Sequence, residues 1–132
     1  MIAFDTSIVI RIAVGDNPKQ RTVGLALLDN NRVFISKTVL LETEWVLRSR
    51  YKLKPAEIAD FLDFLMTAEG IVIENTSTVQ RALEYYNAGA DFADALQLAS
   101  ADGMKLYTLD KAFCRNAIRK GIAPKVEIIH VT

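Results

Sequence analysis

The sequence predicts an α/β domain built on a mostly parallel central sheet with helices over both faces. Two observations lead there. Short uninterrupted apolar runs, such as Val33-Phe34-Ile35 and Ile71-Val72-Ile73, read as strands buried on both sides. Longer stretches of helical character separate them, so successive strands need crossovers and lie parallel. With 132 residues, 51% hydrophobic and 24% charged, the chain has the balance of one globular domain, expected to span 1–132, and not that of a disordered segment.

The elements follow in order. Ile2-Ala3-Phe4 is a short buried strand. Thr6 to Val14 is helical and stops at Gly15-Asp16-Asn17-Pro18. Pro18 suits a first helical turn and opens a helix to about Leu28, before an Asp29-Asn30-Asn31 turn. After the Val33–Ile35 strand, Ser36 caps a helix reaching about Tyr51, and Pro55 opens another to about Thr67. Gly70 breaks it ahead of the Ile71–Ile73 strand. Thr76 to Asn87 and Asp91 to Ala101 are helices ended by Gly89 and Gly103. Leu106 to Leu109 is a strand, Lys111 to Lys120 a helix followed by Gly121, and Val126 to Val131 a final strand.

Composition narrows the chemistry. The 16 basic and 16 acidic residues cancel, so any grip on nucleic acid must come from a local basic patch. Cys114 is the one cysteine, which rules out an intramolecular disulfide and a cysteine zinc site; it reads as a small, partly buried hydrophobe. His130 is the one histidine, so a Ser-His-Asp or Cys-His centre would have to use it. No segment approaches the ~20 apolar residues that span a membrane. The opening Met1-Ile2-Ala3-Phe4-Asp5 has no basic region and no cleavage site, and the chain is expected to stay in the cytoplasm.

Carboxylates carry the remaining signal. Asp5 and Asp110 each follow a predicted strand, at the sheet edge where open α/β folds bind ligands; each is equally an ordinary helix N-cap. Glu42 has Val39, Trp45 and Val46 as helical neighbours, and a carboxylate in such an apolar stripe needs a cation or a proton. Glu44 stands four residues before Arg48 and reads as a surface salt bridge. Asp91 and Asp94 share the first turn of a helix, a capping arrangement or a site, with small residues Ala90, Ala93 and Ala95 around them. Asp102, Asp60, Asp63, Glu57, Glu69 and Glu84 read as solvated surface.

These residues resemble the blocks of the PIN-domain nucleases, and within them the VapC-type toxins of type II toxin–antitoxin pairs. Asp5-Thr6-Ser7 after the first strand resembles the family's opening Asp-Thr-Asn, with Ser7 in place of the Asn. Leu41-Glu42-Thr43-Glu44-Trp45-Val46-Leu47-Arg48 resembles the second acidic block, Asp91-Phe92-Ala93-Asp94-Ala95 the third, and Tyr107-Thr108-Leu109-Asp110-Lys111-Ala112-Phe113 the fourth. No block is specific alone; four in order, across nearly the whole chain, are.

The resemblance implies a three-layer fold with a parallel sheet of about five strands. It implies Asp5, Glu42, Asp94 and Asp110 as catalytic and metal-binding residues for Mg2+ or Mn2+. Asp5 and Asp94 are expected to be the principal ligands, with Glu42 and Asp110 completing the set and Thr6, Ser7 and Thr108 in support. RNA would be cut through metal-activated water, leaving 5′-phosphate and 3′-hydroxyl ends, without a His, Cys or Ser nucleophile. Candidates for RNA phosphates are Arg11, the run Arg48, Arg50, Lys52 and Lys54, and the group Arg115, Arg119 and Lys120, with Arg115 and Arg119 sharing a helix face just past Asp110. A VapB-type antitoxin and a homodimer are implied as partners. The apolar side chains of Phe61, Leu62, Phe64, Leu65 and Met66 nearly encircle their helix, more than one buried face needs.

Other readings fare worse. A haloacid-dehalogenase-like phosphatase wants a second Asp where Ser7 stands. A receiver domain wants its acceptor Asp on a later strand, yet the two middle strands run into Ser36 and Glu74. The glycine fingerprint of dinucleotide binding is missing. A non-catalytic PIN-fold module that engages antitoxin or RNA without cutting is the alternative from another class.

Overall fold

The computed structural model describes residues 1–119 and 126–131, with only the helical backbone at 118 and 119. The chain divides into two compact units, Met1–Thr76 and Ser77–Thr132. Each follows from its own sequence.

In the first unit, β1 (Ile2–Ala3), β2 (Val33–Ile35) and β3 (Ile71–Ile73) form a parallel sheet in that order. Ile2 stands opposite Val33, Val33 opposite Ile71, and Ile35 opposite Ile73. Parallel pairing requires a crossover after each strand. The first is α1 (Thr6–Val14) and α2 (Pro18–Asn30); the second is α3 (Lys37–Ser49) and α4 (Pro55–Thr67). Both flanks of β2 are paired, and its Val33 and Ile35 are fully buried. Val9, Leu40, Leu47, Ile58 and Leu62 are among the buried helical residues that complete this core.

Local chemistry sets the helix ends. Asp5, Asn17 and Ser36 are N-caps whose side chains accept from the N–H groups of Ile8, Gln20 and Val39. Glu57 accepts from the Lys54 N–H at 3.1 Å at the start of α4. Gly15 ends α1 at φ 66°, a left-handed conformation that glycine adopts without strain, and its N–H closes onto the Arg11 carbonyl. Gly24 on α2 lets that helix come close to α1: a Cβ there would lie 3.3 Å from Ile8 Cγ2 and 3.4 Å from Ile12 Cγ1. The α2 helix runs two residues beyond the expected Leu28, because Asn30 and Asn31 side chains donate to the Ala26 and Leu27 carbonyls (2.7 and 3.0 Å) and extend the helix through the expected turn.

In the second unit, α5 (Thr76–Asn87, beginning at the boundary residue) and α6 (Phe92–Ser100) precede β4 (Leu106–Thr108), α7 (Lys111–Arg119) and β5 (Val126–Ile128). β4 and β5 pair in parallel, Leu106 opposite Val126. Leu98, Phe113, Cys114, Ala117 and Val126 make the core there, with Tyr85, Leu106 and Ile128 against it. Cys114 is buried, as its hydrophobic reading expects, with Sγ 3.6 Å from the Val126 carbonyl. Phe92 is buried edge-on to Tyr86, ring centroids 5.3 Å apart.

The expected α/β class with parallel strands is what the chain adopts. The expected run of about five strands is divided among the described residues into ladders of three and two. β1 is only two residues long, and β5 stops at Ile128, short of the expected Val131. The expectations for Lys120 and Gly121 lie outside the described residues. No helix among the described residues is long and apolar enough to cross a membrane.

Candidate active site

The two strand–helix junctions that the sequence singles out are both built as caps. Asp5 Oδ1 accepts from Ser7 Oγ at 2.6 Å and from the Ile8 N–H at 3.3 Å. These two bonds, the hydroxyl's first, hold its carboxyl below the ordinary Asp pKa. Both fall on one oxygen, and Oδ2 is left for another partner.

Glu42 joins the same region from α3. Thr6 Oγ1 donates to Glu42 Oε1 at 3.1 Å, across 36 positions. Consecutive hydroxyls, Thr6 and Ser7, thus hold two different carboxylates of the first unit, Glu42 and Asp5.

The apolar stripe around Glu42 is not the buried face of α3. Trp45 is 52% exposed, and Glu42 is exposed with it. The buried face is Leu40, Thr43, Glu44 and Leu47. Glu44, expected on the surface, is therefore 2% exposed, and it receives Arg48 Nε at 2.8 Å. The predicted ion pair exists, but its acidic half is interior. Several apolar residues line both faces of α3, so periodicity alone does not phase the helix.

In the second unit, Asp91 Oδ2 accepts from the Asp94 N–H at 3.2 Å and caps α6. Asp94 is half-buried, and no described residue donates a hydrogen bond to its carboxylate. Burial first, then the negative charges of Asp91 and Asp110, raise its pKa above the ordinary Asp value. Asp110 Oδ1 accepts from the Ala112 and Phe113 N–H groups at 2.9 and 3.1 Å, capping α7. Thr108 Oγ1 accepts from the Asp110 N–H at 3.0 Å, so it fixes the backbone of Asp110, not its carboxylate. A small cavity of about 70 Å³ has Asp91 and Asp94 in its wall, with Gly89, Ala90 and Asn116.

The basic candidates divide. Arg11 donates through Nε to Gln20 and through Nη1 to Asp16 and the Tyr51 hydroxyl, at 2.7 to 3.1 Å for the closest bonds. Tyr51 in turn donates to Asp16 at 2.8 Å, which holds the Asp16 carboxyl below its ordinary pKa. This triad has no local signal, since Asp16 and Tyr51 lie 35 positions apart. Arg115 is exposed. The side chain of Arg119 lies outside the described residues.

The model of the PIN domain family matches residues 2–119. The chain belongs to the PIN domain family. PIN domains are nuclease-type folds that typically use divalent metals. No curated protein and no solved structure matches the chain.

The donor set suits a hard divalent cation, which favours carboxylate oxygen. Asp5 and Glu42 each keep one oxygen outside their hydrogen bonds, as does Asp110, and Asp94 keeps both. Burial, with the charges of Asp91 and Asp110 after it, raises the Asp94 pKa, and a bound cation would oppose that rise. Among the described residues, no group of three or more Asp, Glu, His or Cys side chains is gathered as a metal site.

Proposed function

We propose that this PIN-domain protein is a divalent-metal-dependent endoribonuclease, using Mg2+ or Mn2+, and the toxin of a toxin–antitoxin pair. The observation that carries the reading is the pairing of hydroxyl and carboxylate at Thr6–Glu42 and Ser7–Asp5, which fixes two acids of a PIN-family chain while leaving each a free oxygen.

Asp5 and Asp94 are the principal metal ligands in this reading, and Glu42 and Asp110 complete the set. When bound, the metal supplies a Lewis acid for the scissile phosphate and the attacking water. Thr6 and Ser7 keep Glu42 and Asp5 oriented, and Ser7 keeps Asp5 ionised. Burial and neighbouring negative charge raise the Asp94 pKa, and a bound cation would favour its charged form. The non-catalytic alternative is disfavoured by carboxylates at all four acidic positions.

An antitoxin partner is supported by a groove of about 520 Å³ on α1 and α2. Ile8, Val23, Gly24 and Leu27 give it an apolar floor, and Lys19 and Gln20 a polar rim. An amphipathic segment fits such a surface. A homodimer is supported by Phe64, 46% exposed and stacked on Phe61.

The test is cleavage of cellular RNA by purified protein with magnesium, with manganese, with EDTA, and by Asp94→Asn. Metal-dependent cutting that disappears in the variant is the expected result. Cutting that persists in EDTA or in Asp94→Asn would sink the mechanism. If neither cutting nor calorimetric binding of magnesium is seen, the non-catalytic alternative stands.

A further inference from the structure

A second cavity, of about 260 Å³, opens beside the Asp5–Glu42 pair. Thr6, Ser7, Ile10, Arg11, Val46, Arg50 and Tyr51 line it. With a water occupying about 30 Å³, this is room for a phosphate and its ribose. Two of its wall residues, Thr6 and Ser7, are the ones bonded to Glu42 and Asp5, so the cavity continues directly from those acids.

Its charge is uneven. Arg11 is held by Gln20, Asp16 and Tyr51, and Asp16 offsets its charge. The Arg50 guanidinium has no hydrogen bond or ion pair with any described residue. The network that ties down Arg11 also fixes Tyr51, the residue after Arg50 and part of the same wall. The cavity is thus a rigid recess with one uncommitted cation, adjoining carboxylates that would repel a polyanion without metal.

We propose that this recess is the subsite for the RNA backbone next to the scissile phosphate, and that Arg50 binds the neighbouring phosphate. The inference rests on the nuclease reading of the adjoining acids. A planar guanidinium suits a phosphodiester, because its fixed fork of donors matches two phosphate oxygens. A single strand is the form that enters a recess of this size, since a duplex holds its phosphates apart on a broad surface. Arg50 thereby sets register along the strand and not base identity.

The experiment uses the full chain carrying Asp94→Asn, so that a short mixed-sequence single-stranded RNA stays intact. Its binding constant is measured over a series of salt concentrations, with Arg50→Gln and Arg50→Lys compared in the same background. Removal of one phosphate contact should lower the slope of log K against log salt by about 0.7, with weaker binding at every low-salt point. Arg50→Lys should keep the slope and lose part of the affinity. Melting temperatures of the variants check that each is folded. An unchanged slope in Arg50→Gln overturns the proposal and leaves the recess to a protein partner. Failure of the parent to bind this RNA overturns it too. Cleavage by the wild type, measured separately, decides the nuclease reading, so the two can fail independently.

Discussion

Thr6 and Glu42, 36 positions apart, are joined by a hydrogen bond of 3.1 Å from the threonine hydroxyl to Oε1. The bond links the first turn of α1 to the middle of α3 and gives an exposed glutamate a fixed orientation. A long side chain at the surface otherwise samples many rotamers. If Glu42 serves a metal, the hydroxyl is what keeps its remaining oxygen in place. Thr6→Val keeps the shape and removes the donor, and should lower metal affinity or cleavage by about 10–100-fold. Thr6→Ser should retain most of both. Calorimetric metal titration of the three proteins checks this, and a Thr6→Val variant with wild-type affinity would dismiss the support role.

Ser7 acts on Asp5 through charge. Its hydroxyl is the largest cause of the lowered Asp5 pKa, ahead of the Ile8 N–H. A depressed carboxyl favours the folded state above the unfolded pKa, and that benefit is lost as pH falls through the folded value. Ser7→Ala should move the Asp5 titration back up toward its ordinary range, narrowing that window from below. Asp5 is exposed, so the stability change should be slight. The clearer readouts are the Asp5 carboxyl followed by NMR and the acid midpoint of metal binding, both shifting to higher pH. Ser7→Asn, the residue common in the family, should restore the lower midpoint. An Asp5 titration unmoved by Ser7→Ala would assign the lowering to the backbone donor instead.

Asp94 shows the opposite sign. Its pKa is raised in the folded protein by burial, then by Asp91 and Asp110. Its contribution to stability is complete below the unfolded Asp value and lost as pH rises through the raised folded value. At neutral pH the charged side chain therefore destabilises the apo-protein. Asp94→Asn should melt above wild type at neutral pH, and the gap should vanish below about pH 4, where both chains carry a neutral group. Saturating magnesium should narrow the neutral-pH gap by stabilising only the wild type. A variant that melts lower at neutral pH would mean that Asp94 is held by favourable contacts and not penalised by burial and like charge.

Much of this was readable from the sequence for physical reasons, and so were the limits. Apolar runs of three residues between glycine- or serine-marked ends placed β2 and β3 at their observed bounds. Pro55, Ser36 and Gly15 marked helix ends because backbone geometry at those points depends on local residues. Asp5 and Asp110 were legible as strand-end carboxylates, and both are caps as well. The orientation of α3 was not legible: Trp45 and Val46 are as apolar as Leu40 and Leu47, and only packing chose the Thr43–Glu44 side as interior. Nor was the Arg11–Asp16–Tyr51 triad, since Tyr51 reaches Asp16 through tertiary structure that no local pattern encodes.

That choice of interior leaves its own mark on α3. Thr43 is fully buried, and its Oγ1 has no hydrogen-bond partner among the described residues. A hydroxyl buried without a partner bears its desolvation penalty uncompensated, whereas an apolar group of the same shape does not. Valine matches threonine in shape and nearly in helix propensity. Thr43→Val should therefore stabilise the protein by about 1 kcal/mol. Arg48→Ala, one turn further on, should do the reverse, by about 1–3 kcal/mol, because it strips a charged donor from the buried Glu44 carboxylate. Urea unfolding of the two variants beside wild type gives both values. If Thr43→Val unfolds at lower urea, the hydroxyl has a partner in solution, and the interior face of α3 is wetter than its packing indicates.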